Sequence, residues 1–216
     1  MCSTCRRIAY CGPEHQREDW PSHKSYCAAV TFLREFKEQE LNPRTVEVLY
    51  LQEQNIGVED TKTFAKAIPS LMALKRLALD DNSIGDEGVT ALATTLPSLP
   101  ALIELGLNSN SITKAGATAL AAALPSLPAL MELYFSDNEI GDEGTTALAA
   151  TLPSLIALEV LYLSHSSIGD VGGRALAAAL PSLPALKEVG FKNNQISPEV
   201  QRMIRSAVPP GCRVDF

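Results

Sequence analysis

From Val46 to Ile196, apolar and polar positions recur with one fixed period. The segment Leu74-Lys75-Arg76-Leu77-Ala78-Leu79-Asp80-Asp81-Asn82-Ser83-Ile84 returns 28 residues later from Leu102, and again from Leu130, Leu158 and Leu186. A weaker copy starts at Val46, with Leu49, Leu51 and Ile56 in register. Six copies at constant spacing predict a solenoid. Within a copy the periodicity changes. Leu77 and Leu79 alternate with small or polar residues, as in a short strand with one buried face. Beyond Ile84-Gly85, residues Ala91, Leu92 and Leu96 form an apolar helical face, and Asp86 and Glu87 complement the start of that helix. Pro97 ends it, and Pro69, Pro125, Pro153 and Pro181 stand at the same position. The unit reads strand, turn, helix, loop. The predicted class is α/β, with parallel strands inside and helices outside.

The last copy departs from the pattern after Ile196. Residues 198–207 are predicted to form an amphipathic helix, and Pro209-Pro210-Gly211 a turn. Val214 and Phe216 alternate around Asp215, and Val214 falls 28 residues after Leu186. A short final strand capping the open end is expected, because terminal repeats must hide the core. Cys212 is expected to be a small buried hydrophobe there.

The pattern Leu-x-x-Leu-x-Leu-x-x-Asn-x-Ile, carried by Leu74 to Ile84 and its copies, resembles a leucine-rich repeat of the 28-residue, ribonuclease-inhibitor-like type. The resemblance implies a horseshoe. It also implies that Asn82, Asn110, Asn138 and Asn194 hydrogen-bond neighbouring backbone at each turn. Gln54 and Ser166 replace that asparagine in the first and fifth copies, so the ladder is expected to be looser there.

Charge and cysteine divide the chain. Residues 1–45 carry seven Lys/Arg and six Asp/Glu; residues 46–216 carry eleven and nineteen. The overall charge of −7 argues against a general nucleic-acid surface. No apolar run reaches the roughly 18 residues a membrane span needs, and the N-terminus has no apolar signal core. An intracellular protein, cytoplasmic or nuclear, is the expectation. Four of the five cysteines, Cys2, Cys5, Cys11 and Cys27, fall in the first 27 residues with His15 and His23. In a reducing compartment such a cluster points to metal rather than to disulfides. The expected organisation is a zinc module over 1–27, a linking and capping helix over 28–45, and repeats over 46–216.

Cys2-x2-Cys5, Cys11-x3-His15 and His23-x3-Cys27 have spacings that place paired side chains on tetrahedral zinc. So small a segment needs the metal to hold one conformation. The run Tyr10-Cys11 … Gln16-Arg17-Glu18-Asp19-Trp20-Pro21-Ser22-His23-Lys24 … Cys27 resembles the MYND-type zinc finger. That resemblance implies one complete site from Cys2, Cys5, His23 and Cys27. Cys11 and His15 would be half of a second site, with His15 standing where the family has Cys. The remaining Cys-x2-Cys of such a finger would precede residue 1, so the module is expected to be truncated. In the family, the positions of Gln16 and Trp20 line a shallow groove for proline-containing peptides.

Catalysis finds no constellation in the sequence. His165 and Cys212 are far apart in the register, the paired acids recur with the repeat, and no phosphate-binding glycine loop follows a strand. A four-ligand zinc site has no open position. The reading is therefore a non-enzymatic, monomeric interaction adaptor. The alternative is an activator of a small GTPase, since some are built on this repeat type, with Arg76 as the candidate arginine. Partner recognition is expected where strand side chains face away from the core. Reading by register gives Tyr50, Tyr134 and Tyr162 in one column, Asp80 in the next, and Arg76, Glu104 and Glu132 in a third.

Overall fold

The computed structural model describes residues 45–216. The ligand and groove positions of the finger, and the expected helix over 28–45 apart from Thr45, lie outside the described residues. Seven strands form one parallel sheet in chain order: β1 (Val48–Tyr50), β2 (Arg76–Ala78), β3 (Glu104–Gly106), β4 (Glu132–Tyr134), β5 (Val160–Tyr162), β6 (Glu188–Gly190) and β7 (Arg213–Asp215). Between them run α1 (Val58–Ala65), α2 (Gly85–Thr95), α3 (Lys114–Ala123), α4 (Gly141–Thr151), α5 (Asp170–Ala179) and α6 (Pro198–Ala207). The register joins Leu49, Leu77, Leu105, Leu133, Leu161 and Val189 into one buried column. Leu79, Leu107, Phe135, Leu163 and Phe191 form a second column just past the strands, and Leu92, Leu120, Leu148 and Leu176 meet them from the helices. Burial of these columns drives the stacking, since no single copy can enclose its own apolar face. After the first five helices a 3-10 turn carries the proline, as in Leu96–Ser98.

The asparagine ladder forms as expected. The Oδ1 of Asn138 accepts from the backbone N–H groups of Asn110 and Ile112, one copy back. Its amide donates to the carbonyls of Leu107, Phe135 and Ser136. Asn82 and Asn194 repeat the arrangement. Ser166 reaches only the Ser164 carbonyl, and Gln54 only that of Gln52, so both substitutions thin the ladder.

One feature was not legible in the constant spacing: the copies alternate between two turn types. After β2 and β4 the left-handed residues include Gly85 and Gly141, and the helix begins at that glycine. After β1, β3 and β5 the left-handed position is instead Asn55, Ser111 or Ser167, and the helix starts from an extended cap, Gly57, Thr113 or Gly169. The acids at the helix starts serve this alternation. Asp86 sits at the start of α2, yet its carboxylate accepts from Thr113 N–H at 2.8 Å, Thr113 hydroxyl at 2.6 Å and Gly116 N–H at 3.0 Å, capping α3. Asp142 caps α5 the same way through the N–H groups of Gly169 and Gly172. Burial opposes ionisation of Asp86, but these bonds outweigh it and hold its carboxyl below the usual range. The acids stand in the first turn of their own helices as expected, and Asp86 and Asp142 cap the next one as well.

The C-terminal helix, turn and strand form as predicted, with one shift. Val214 lies beside Val189, not in the column of Leu186 that spacing assigned to it. The tight turn through Gly211, at φ 86°, replaces the longer proline loop of the other copies, so this unit is shorter. Cys212 is half-buried rather than buried, and burial pushes its thiol up, away from the reactive thiolate.

Candidate functional site

The candidate site is the sheet face turned away from the helices. On each strand the middle residue enters the core, so its two neighbours must project from the opposite face. Tyr134 and Tyr162 are register partners on β4 and β5, and their rings lie 5.5 Å apart at an interplanar angle of 58°. A tilted pair at this distance is a favourable aromatic geometry. The Tyr134 hydroxyl donates to Glu132 Oε2 at 2.5 Å, and the Tyr162 hydroxyl to Glu188 Oε1 at 2.6 Å. Burial and the Glu132 carboxylate push the Tyr134 hydroxyl up, while the bond to Glu188 and then burial push Tyr162 up to about 12. Both rings therefore stay neutral and are held in place before any partner arrives. Such preorganisation lowers the ordering cost of binding.

The other candidates surround this pair. Glu104 and Glu132 are direct register partners. Burial and the nearby Glu132 carboxylate raise Glu104, despite the Arg76 guanidinium at 3.4 Å. Arg76 also reaches toward the Tyr50 hydroxyl at 3.5 Å. Asp80 accepts from Asn108 N–H at 3.0 Å, and burial raises its carboxyl. Its carboxylate lies over Gly106, where a Cβ would come within 2.5 Å of it. The structure thus gathers Arg76, Asp80, Glu104, Glu132, Tyr134 and Tyr162 across β2 to β5, and leaves Tyr50 on β1 beside Arg76. The sequence-derived set missed Arg213 and Asp215 as neighbours. Arg213 reaches Glu188 at 3.4 Å, and Lys192 reaches Asp215 at 3.0 Å. The placement of Arg213 and Asp215 depends on β7, whose register the period of 28 misassigns.

At the ends of β3 to β5 an open recess of about 400 Å³ is lined by Ser109, Ser111, Asp137, Asn138, Glu139 and His165. His165 Nε2 lies 2.7 Å from the Asn193 amide, and Nδ1 lies 3.9 Å from Asp137. No serine hydroxyl reaches its ring among the described residues, so the geometry is not that of a nucleophile and base. Nor, among the described residues, do three or more His, Cys, Asp or Glu side chains gather where they could hold a metal. No described helix is long and apolar enough to cross a membrane.

Comparison with known proteins agrees with these features. Residues 1–27 match the family model "MYND finger", and residues 71–93, 127–149 and 157–177 match "Leucine Rich repeat". A stretch of 30 residues is 50% identical to "Rho GTPase-activating protein gacZ" of Dictyostelium discoideum, and 29 residues are 59% identical to "SET domain-containing protein 14" of Caenorhabditis elegans. These stretches cover 14% and 13% of this chain and only 3% and 7% of those proteins. Among solved structures, "Leiomodin-1 Actin-Binding Site 2 (ABS2)" superposes with a TM-score of 0.53 at 18% identity, covering 81% of this chain and 84% of that one. At this identity the likeness concerns the fold. Leucine-rich repeats and MYND fingers are both typical of protein-interaction modules, and the MYND family implies zinc.

Proposed function

We propose that this chain, a MYND finger followed by leucine-rich repeats, is a non-catalytic intracellular adaptor that binds a protein partner on its strand-lined face. The observation that carries the reading is the preorganised pair Tyr134–Tyr162 on a sheet face that nothing covers among the described residues. Tyrosine offers large contact area at low entropic cost and is enriched among dominant interface residues. Tyr50, Arg76, Asp80, Glu104 and Glu132 complete the surface. Changing Tyr134 and Tyr162 together to alanine is expected to weaken partner binding by about 2 kcal/mol or more. Both rings project from the sheet, so the melting temperature of the chain should change little. Affinity capture of partners from a lysate, followed by titration of the recovered partner, reads this out. Normal binding by the double variant would move the recognition surface elsewhere. The parallel variant Gln16→Ala with Trp20→Ala then tests the finger and its proline-containing peptide.

The modules proposed are 1–27 for the finger, 28–45 for the link and 46–216 for the repeats. Three thiolates and one imidazole, from Cys2, Cys5, Cys27 and His23, suit a closed structural zinc site. Cys11 and His15 supply half of a second set. Elemental analysis is expected to give about one zinc per chain by this ligand count. Because each repeat is held by its neighbours, chelation should leave the far-UV helical signal of the repeats in place. Loss of most of that signal, or two tightly held ions, would contradict the assignment.

A further inference from the structure

We infer that the partner presents a basic side chain, arginine or lysine, to the strand-lined face at the Asp80 carboxylate, which lies over Gly106, on the strand of Glu104 and next to that of Tyr134. The inference rests on the proposed role of that face and names the chemistry it selects.

Charge is matched at one end of the sheet and unmatched at the other. On β6 and β7, Glu188 meets Arg213, and Asp215 meets both Lys192 and Arg213. On β2 to β4 the single cation Arg76 pairs with Glu104, and no described basic side chain forms an ion pair with Asp80 or Glu132. Glu104 and Glu132 stand directly opposite each other on adjacent strands, where like charges destabilise a sheet. The free protein therefore carries a repulsion that an incoming cation would relieve. With no side chain at Gly106, the Asp80 carboxylate takes that place and lies across the sheet surface, one strand from Tyr134. Tyr134, the register partner of Gly106, adds an aromatic ring, which attracts guanidinium and ammonium groups. Complementarity of this kind steers encounter and fixes the register of a bound chain more than it adds raw affinity.

The test uses the full chain and a fluorescent octa-arginine peptide in an anisotropy titration at fixed salt. The triple variant D80N/E104Q/E132Q is compared with E59Q/E143Q/E199Q, which removes the same charge from the helix side. The face variant should lose at least tenfold in affinity, and the control less than twofold. Thermal melting in the same buffer should show E104Q as stable as the parent or more so, because its repulsion with Glu132 is gone. Should the triple variant melt early, E104Q alone carries the test, with an expected loss of threefold or more. Equal losses in the two triple variants, or no peptide binding by the parent, would overturn the inference. If octa-arginine ignores the face while Tyr134→Ala with Tyr162→Ala still releases a captured partner, basic chemistry falls and the face itself stands.

Discussion

A chain lacking residues 102–157 is expected to fold cooperatively and to melt above a chain lacking only residues 102–129. Ordinarily the shorter deletion should be the milder one, since solenoid stability grows with the number of stacked units. The alternation of turn types reverses that order. Removing two units brings α2 next to α5, so Asp86 faces the N–H groups of Gly169 and Gly172 that Asp142 now caps. Gly85 N–H, which bonds the Asn110 carbonyl, would meet Ser166, whose carbonyl serves Gly141 in the same way. The glycine at 172 is also required, because a Cβ there would sit 2.9 Å from the acid. Removing one unit instead brings α2 against α4. Asp86 then loses Thr113 and its three bonds, and Glu139 N–H loses the Ile112 carbonyl. The Ile84 carbonyl cannot substitute, because Ile84 already lies in helical conformation at the start of α2. Hydrogen bonds to a charged group are worth about 1.5–3 kcal/mol each, so several kcal/mol separate the two junctions. Thermal melts by circular dichroism decide it. A higher melting point for the 28-residue deletion would show that the copies are interchangeable.

Asn138→Ala is expected to cost on the order of 4 kcal/mol and to lower the melting temperature by roughly 10 °C, on the scaling of about 2–4 °C per kcal/mol for a chain of this size. The side chain is 2% exposed and holds two backbone N–H groups and three carbonyls. Truncation strands them where water cannot reach, and each unpaired buried group costs about 1–3 kcal/mol before relaxation. The control lies one copy along. Ser166 is equally buried but makes a single side-chain bond, to Ser164, so Ser166→Ala should cost about 1 kcal/mol. Similar losses at both positions would mean that the ladder contributes through packing alone.

The architecture was legible in the sequence because its cause is local and repeated. Leucines at alternate positions, an asparagine at four of the six turns and a proline after each helix leave few other ways to bury the apolar columns. The alternation escaped because it preserves the period: Asp86 and Asp142 look like ordinary helix-start acids until their carboxylates are seen to reach the following copy. The end of the chain escaped for a different reason. A tight proline–glycine turn shortens the last unit, so extending the register misplaces Val214, and with it Arg213 and Asp215. The tyrosine pair was legible from register alone, since parallel strands set residues 28 apart side by side. The hydroxyl bonds to Glu132 and Glu188 were not, because Glu132 is two positions away on the same strand whereas Glu188 is on the next one.

The central claim is that partners bind the strand-lined face, and hydroxyl-radical footprinting of the full chain with and without its captured partner tests it most directly. Tyr50, Tyr134 and Tyr162 report on that face. Met72, Met203 and Ile156, all exposed away from it, report on the rest of the repeats. Binding should protect Tyr134 and Tyr162 and leave Met72, Met203 and Ile156 as reactive as in the free chain. Protection of those three, or of residues 1–45 alone, with both tyrosines unchanged, would contradict the account.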